Sequence, residues 1–443
     1  MVSEKELINK LHEIDVPFRG FNLAVLSQVY CFEMYYKRWG GNGLLNTSKR
    51  LSLDTYLKAI AALGRKRKPV NSSWKVLCVN DVYNRSMIQN LRSLYEEFEV
   101  PHGEVICDTR LQLHNSLNLF KHIPLGRYFH NLVKFLKQSG AIRRQINEIS
   151  TLFGIPRFLI FLNMLESVYV VTGVEALGEK LTSLRSIALN SDVHKVSRSW
   201  AQWAQSKNIR TYVLQHGTTV LEYGFLPVSA DILFTWGALS SHWFEERGTK
   251  PERLVEAGTP KMDAISFQGP QPPEGMPRNI LLVLNPIGKK AVLEYLKVVR
   301  DARLHTDYNL TIKLHPGSQD NREEVAAVFP NGGARIVKEG NIHQFIKETD
   351  VVVTTTSTVG NEAIALGKPL VQIEVKDELP LLDYARLGCC FRVAGAGELI
   401  TLLKTSGAIC EKLPLYEGYI EKYFYKLDGQ AARRIAQQIS KEE

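Results

Sequence analysis

Ser186-Ile187-Ala188-Leu189-Asn190-Ser191-Asp192, a helical pattern from about Val193 to Ser206 and the apolar run Ile209 to Leu214 follow one another near the middle of the chain. A short apolar run, an amphipathic stretch and a second apolar run spell a βαβ unit. Alternation of this kind predicts a parallel sheet with helices on both faces. The pattern repeats outward. Upstream, Lys75-Val76-Leu77-Cys78-Val79-Asn80 reads as a strand, Asp81 to Ser86 as a turn, the residues on to Phe98 as a helix, and Gly103 to Cys107 as another strand.

Downstream the series restarts at Ile280-Leu281-Leu282-Val283-Leu284. A helix through about Ala302, a strand Asn309 to Leu314, a strand Val351-Val352-Val353, a helix Val359 to Leu366 stopped by Gly367 and Pro369, and a strand Leu370 to Ile373 complete it. Between the two series, Phe267 to Asn279 crowds Pro270, Pro272, Pro273, Pro277 and two glycines together with almost no hydrophobic residue, the composition of a linker. The expected architecture is α/β with two Rossmann-like doubly wound halves. The expected divisions are a basic helical N-terminal extension (1–70), a first domain (71–266), a linker (267–279), a second domain (280–418) and a C-terminal helix crossing back (419–443).

Composition fits this reading. A chain of 443 residues that is 44 % hydrophobic is long enough for two cores and too apolar for a disordered protein. Its six cysteines are scattered without a Cys-x-x-Cys, which argues against a zinc ribbon or a disulfide framework and for a reducing compartment. The opening Met1-Val2-Ser3-Glu4-Lys5-Glu6 puts acids where a secretory signal carries basic residues, so export is not indicated. The most apolar stretch, Phe158 to Val174, contains Asn163 and Glu166 and falls about one turn short of a comfortable bilayer span. It reads as a buried helix followed by a loop or strand.

The net charge of +9 is unevenly spread. Residues 1–70 hold twelve Lys/Arg against six Asp/Glu and close on Arg65-Lys66-Arg67-Lys68, and Arg110 to Asn147 has seven Lys/Arg and no acid. Phe129, Leu132, Val133 and Leu136 recur there at helical spacing among Arg127, Lys134 and Lys137. Such a stretch is either a solvated helix face or a contact for something anionic: a membrane surface, a lipid-linked phosphate or an acidic polysaccharide. No zinc finger, RNP-type aromatic motif or helix-turn-helix pattern supports a nucleic-acid partner.

Parallel α/β sheets bind ligands beyond the carboxyl ends of their strands. Three such places carry reactive or polar residues. In Gln215-His216-Gly217-Thr218-Thr219, His216 could act as a base near neutral pH, donate a hydrogen bond, or simply fill a turn. In Lys313-Leu314-His315-Pro316-Gly317, His315 could bond a phosphate oxygen. Thr354-Thr355-Thr356-Ser357-Thr358-Val359-Gly360-Asn361-Glu362 runs from a strand into a helix, where free N–H groups and hydroxyls suit an anion, and where Ser357 or Thr358 could equally be a plain N-cap. The chain has no Asp-x-Asp, no His-Glu-x-x-His, no P-loop and no Gly-x-Gly-x-x-Gly, which argues against a catalytic metal and a dinucleotide fingerprint.

The succession of Gln215-His216-Gly217-Thr218, Ala230-Asp231-Ile232-Leu233-Phe234-Thr235-Trp236-Gly237 and Val255 to Asp263 resembles bacterial surface-polysaccharide glycosyltransferases of the GT-B fold. It is also similar to the CDP-glycerol glycerophosphotransferases of teichoic acid synthesis. Leu314-His315-Pro316, Asp350 through Ser357-Thr358, Glu362, Gly367-Lys368-Pro369 and Leu427 to Ile435 agree in order, over roughly residues 187–439. The His-Pro and Ser/Thr pair also resembles CMP-sugar transferases of the sialic acid and Kdo type. Two departures are Asp377-Glu378-Leu379, where those sialyltransferases carry an acidic pair followed by Gly, and Thr354-Thr355-Thr356, where the glycerophosphotransferases carry Thr-Asp-Tyr.

The resemblance implies two domains facing a cleft, the first taking an acceptor and the second a nucleotide donor. It places His315, Ser357 and Thr358 at the nucleotide and a base role at His216; the residues themselves add Lys313 and Thr356 to the donor side, Glu362 as a ribose contact or a support for the helix cap, and Asp192 or Glu222 as an alternative base to His216. The expected reaction is metal-independent transfer of a sugar or glycerophosphate from a CMP- or CDP-linked donor to a surface polysaccharide or lipid-linked glycan, with no further cofactor. The expected location is cytoplasmic, with peripheral contact at the inner face of the cell membrane. Two other readings remain open: a UDP-GlcNAc 2-epimerase-like enzyme, and a non-catalytic basic module that binds polysaccharide or membrane.

Overall fold

The computed structural model describes residues 3–38, 68–81, 85–107, 116–219, 221–285, 289–315, 322–329, 333–374, 382–405 and 407–441. Arg65-Lys66-Arg67, Pro316-Gly317 and Asp377-Glu378-Leu379 lie outside them. The described chain forms two compact units, one running to Met262 and including Gln430 onward, the other Asp263–Gly429.

The first unit opens with a helix Glu4–Glu13 capped by Ser3, whose Oγ accepts from Glu6 N at 3.2 Å. A two-strand hairpin follows, β1 (Pro17–Phe18) and β2 (Phe21–Asn22), then a helix Gln28–Arg38. Leu7, Leu11, Phe18, Leu23, Cys31 and Phe32 are all buried in the main core of this unit, so the described part of the basic N-terminal segment is built into the core.

Seven parallel strands make its sheet: β3 (Val76–Asn80), β4 (His102–Ile106), β5 (Ser116–Asn118), β6 (Ser186–Leu189), β7 (Arg210–Leu214), β8 (Ile232–Thr235) and β9 (Leu254–Glu256). Their spatial order is β5-β4-β3-β6-β7-β8-β9. The direction of winding reverses between β3 and β6, which makes that junction the topological switch point.

Phe158 to Val174 lies within one continuous helix, Arg157–Gly178, rather than in a helix followed by a loop or strand. It is apolar and long enough to cross a membrane by composition, yet most of it is buried in the first core. Its two acids have partners: Lys195 Nζ meets Glu166 Oε2 at 2.7 Å, as well as the backbone Asn163 O at 3.0 Å, and Glu175 pairs with Arg19 and Arg127. At Gly178 an added Cβ would come within 2.4 Å of the Trp203 ring, so the helix end packs only without a side chain.

On the opposite face of the sheet, the last helix, Ala431–Lys441, buries Ala432, Ile435, Ala436 and Ile439 against Leu91, Leu94, Cys78 and Tyr212. Arg434 fixes it by donating to Ala257 O at 3.1 and 3.2 Å.

The second unit holds a six-stranded parallel sheet: β10 (Asn279–Val283), β11 (Asn309–Lys313), β12 (Ala334–Val337), β13 (Val351–Thr354), β14 (Leu370–Ile373) and β15 (Phe391–Val393). The order β12-β11-β10-β13-β14-β15 repeats that of the first six strands of the other sheet, with its switch point between β10 and β13. The Pro-rich stretch is tied to this unit. Gln271 N donates to Gly367 O at 2.8 Å, and Asp350 Oδ2 accepts from both Arg278 N and Asn279 N at 2.8 Å.

Candidate functional site

The carboxyl edge of the second sheet gathers polar residues from three adjacent strands. Asn285 follows β10, Lys313 closes β11 with His315 two residues on, and Thr355, Thr356 and Ser357 follow β13. Asn285 Nδ2 donates to Thr356 Oγ1 at 2.9 Å, bridging the switch point. Asn285 Oδ1 and Thr355 Oγ1 are buried there without a hydrogen-bond partner among the described residues. Buried polar atoms are ordinarily satisfied, so a pair left open at a switch point marks a place for a ligand's polar groups.

The electrostatics at this edge favour an anion. Lys313 Nζ donates to Leu314 O at 3.2 Å and Lys338 O at 2.6 Å, which holds an ammonium group beside the strand end. Burial lowers the pKa of His315, and the neighbouring Lys313 and Lys338 lower it further. That neighbourhood penalises a further positive charge and rewards a negative one.

The hydroxyl run is more enclosed than its sequence suggests. Thr356, Ser357 and Glu362 are buried, and only Thr358 is exposed. Thr358 stands at the N-cap without a side-chain cap bond; Ser357 Oγ, one residue earlier, accepts from Val359 N at 3.3 Å, and Ser357 O accepts from Tyr384 Oη at 2.7 Å. The helix behind it, Val359–Ala365, is two turns long, and at Gly360 an added Cβ would fall 2.5 Å from the Tyr384 ring.

In the first unit, His216 follows β7 in a turn that its neighbours fix. Gln215 Oε1 accepts from Trp236 N at 2.8 Å, Trp236 Nε1 donates to Gln215 O at 2.9 Å, and the His216 ring stacks on Phe225 with centroids 4.4 Å apart. Desolvation, with a contribution from His194, pushes the His216 pKa down to about 3, so the ring is neutral at physiological pH.

The two carboxylates proposed beside His216 have other partners. Asp192 is buried and accepts from Ser229 N and, at 3.1 Å, from Ala230 N, while the guanidinium of Arg198 donates to Asp192 O at 2.9 Å. Glu222 Oε1 accepts from Arg247 Nε at 3.0 Å.

The same edge holds residues that sequence reasoning passed over. Asp81, after β3, accepts from Ser197 N at 3.0 Å, while its other oxygen has no partner among the described residues. His194, at the start of the helix Lys195–Gln205, is an electrostatic neighbour of Asp81 and His216. Asn190, after β6, is 2 % exposed with neither side-chain atom bonded among the described residues. All three obey the strand-end rule that selected His216, so the signal was present in their positions.

Two cavities lie away from these edges. One, of about 570 Å³, is lined by Asn279, His305, Asn309 and Arg335; the other, of about 670 Å³, by Trp74, Phe98, His102 and Ser116. Both sit at the amino ends of strands, the side on which parallel sheets do not build ligand sites.

No protein-family profile matches the chain, and no curated protein matches its sequence. Solved structures do match in fold. A UDP-N-acetylglucosamine 2-epimerase is 14 % identical with a TM-score of 0.50, over 83 % of this chain and 95 % of that one. The Methanocaldococcus jannaschii UDP-GlcNAc 2-epimerase, solved in complex with UDP-GlcNAc and UDP, is 12 % identical with a TM-score of 0.51, over 83 % and 99 %. The lipopolysaccharide outer core galactosyltransferase WaaB is 13 % identical with a TM-score of 0.50, over 83 % and 99 %. At such identities the likeness concerns the fold, which is one shared with enzymes: two parallel Rossmann-like sheets in a single chain, GT-B-like.

Proposed function

We propose that this chain transfers a glycosyl or glycerophosphoryl group from a nucleotide-activated donor to a surface glycan or lipid-linked acceptor. The observation that carries the reading is the carboxyl edge of the second sheet. There Asn285 and Thr355 leave polar atoms open at the switch point, and Lys313 and Lys338 make the surroundings of His315 positive. The diphosphate or monophosphate of the donor lies at that edge, with Lys313 and His315 stabilising the charge that develops on the leaving phosphate. A cytidine base is the finer part of the reading and rests on the sequence resemblance.

The acceptor lies against the first sheet, where His216 takes its proton. In glycosyl transfer the acceptor oxygen forms a bond to the anomeric carbon, the carbon–oxygen bond to phosphate breaks, and its electron pair leaves with the phosphate. The attacking oxygen becomes strongly acidic as its new bond forms, so an imidazole with a pKa of about 3 still accepts that proton downhill. Asp192 and Glu222 support the loops around it through Ser229, Ala230 and Arg247.

A second reading, epimerisation of UDP-GlcNAc, is favoured by the matching epimerase structures. Calorimetry with CMP, CDP and UDP, using wild type and His315→Ala, tests the donor half. The expected result is nucleotide binding that the variant weakens at least tenfold; no binding of any nucleotide sinks the proposal. Release of ManNAc from UDP-GlcNAc would establish the second reading instead.

A further inference from the structure

The helix Leu125–Gln138 packs one side inward and leaves the other uncovered among the described residues. Tyr128, Asn131 and Phe135 are buried, with Tyr128 edge-on to Tyr169 at 5.2 Å and Asn131 Nδ2 donating to Thr172 Oγ1 at 3.0 Å. On the outward side, Leu125, Phe129, Val133 and Leu136 are 43, 58, 50 and 46 % exposed. At roughly 100° per residue the four fall within a single sector of roughly 80°. Single exposed apolar residues are ordinary, whereas a contiguous stripe marks a surface that something covers. Tyr128 on Tyr169 and Phe135 on Phe161, at 5.7 Å, set this helix antiparallel to Arg157–Gly178. That packing brings Phe158, 67 % exposed, to the end where Leu136 stands.

The border of the stripe is basic on one flank. His130, Lys134 and Lys137 are exposed on the same helix, and Arg143 and Arg157 are exposed just beyond it. No Asp or Glu occurs from Arg110 to Asn147. The next acid, Glu148, is taken by Arg144 at 3.0 Å.

We infer that this face docks on an anionic lipid bilayer. The helix lies in the plane of the headgroups, with Phe129, Val133 and Phe158 in the acyl boundary and Lys134 and Lys137 against lipid phosphates. Charge complementarity selects the occupant: beside the apolar sector, Lys134 and Lys137 are exposed, while the nearest acids, Glu148 and Glu179, are paired with Arg144 and Arg127, so this flank suits a negative bilayer, which demands no shape fit. The inference stands whichever reaction the chain catalyses, because no residue of either sheet edge belongs to it.

The test mixes the full chain with vesicles of phosphatidylcholine alone, or with one third phosphatidylglycerol, and reads the sedimented fraction. Wild type is expected to bind the anionic vesicles, to leave the neutral ones largely free, and to be released by salt. Phe129→Ser with Val133→Ser should weaken binding about tenfold or more. Lys134→Gln with Lys137→Gln, two exposed positions outside the core, should weaken it about twentyfold on anionic vesicles only. Failure of wild type to bind anionic vesicles overturns the inference, and so does binding that neither pair of substitutions changes. If the apolar pair instead converts a dimer to a monomer in light scattering while vesicle binding is untouched, the face is a contact between copies and the inference falls.

Discussion

Asn285 and Thr356 are 71 residues apart in the chain and joined by a 2.9 Å hydrogen bond across the reversal point of the second sheet. The bond fixes the amide so that its carbonyl oxygen stays unengaged. Asn285→Ala removes both features and should destabilise this unit by about 1–2 kcal/mol, since Thr356 is left buried without its donor. Asn285→Asp should cost more in nucleotide binding than in stability, because it sets a carboxylate against the phosphate. Urea unfolding and calorimetry on the two variants separate the effects; equal nucleotide affinity in wild type and Asn285→Asp would remove the anion from this edge.

Nucleotide affinity should rise as pH falls from about 7.5 to 6. The His315 pKa is depressed in the free protein by burial, Lys313 and Lys338. A bound phosphate compensates those cations and raises it, so binding takes up protons. Titrations in two buffers of different ionisation enthalpy measure the uptake. His315→Ala should abolish most of it, and uptake that persists unchanged in the variant would mean another group is responsible.

The first unit should be acid-sensitive. His12 is held at about 4 and His216 at about 3, and His194 is lowered too, in each case chiefly by burial. A folded pKa below the unfolded one means that the unfolded chain binds more protons. Stability from these groups is therefore complete above about pH 7 and drains away as pH falls through 6.5 towards 4. All three half-buried histidines act in this direction. Unfolding midpoints between pH 7.5 and 4.5 check this, and His12→Gln should flatten part of the slope.

Asp192→Ala should cost about 2–4 kcal/mol, because two backbone N–H groups, of Ser229 and Ala230, lose their acceptor beside the buried Arg198. Thermal melts and turnover of the folded fraction should diverge: melting falls sharply, while turnover per folded molecule stays near wild type. A loss of turnover beyond tenfold at unchanged stability would instead place Asp192 in the chemistry.

Much of the fold was legible because strands buried on both faces, such as Val76–Asn80 and Val351–Thr354, write continuous apolar runs. The short edge strands Ser116–Asn118 and Phe391–Val393 write none. The run Val168-Tyr169-Val170-Val171-Thr172 looks like a strand by propensity and is helical, since burial of Arg157–Gly178 outweighs the preference of β-branched residues. At the site, the strand-end rule reached His216 and His315. It did not separate Asn190 from Asp192 two residues later, because an orphaned amide and a satisfied carboxylate differ only in partners that fold in from elsewhere, Ser229 and Ala230 in the case of Asp192.

The last helix, Ala431–Lys441, covers Cys78 and Tyr212 of a sheet whose strands all precede Met262, together with Leu91 and Leu94 beside it. The first unit therefore waits, with an oily flank uncovered, until the whole of Asp263–Gly429 has been made. Stop codons or proteolytic nicks upstream of Gln430 should thus yield aggregates of the leading half instead of a trimmed, soluble protein.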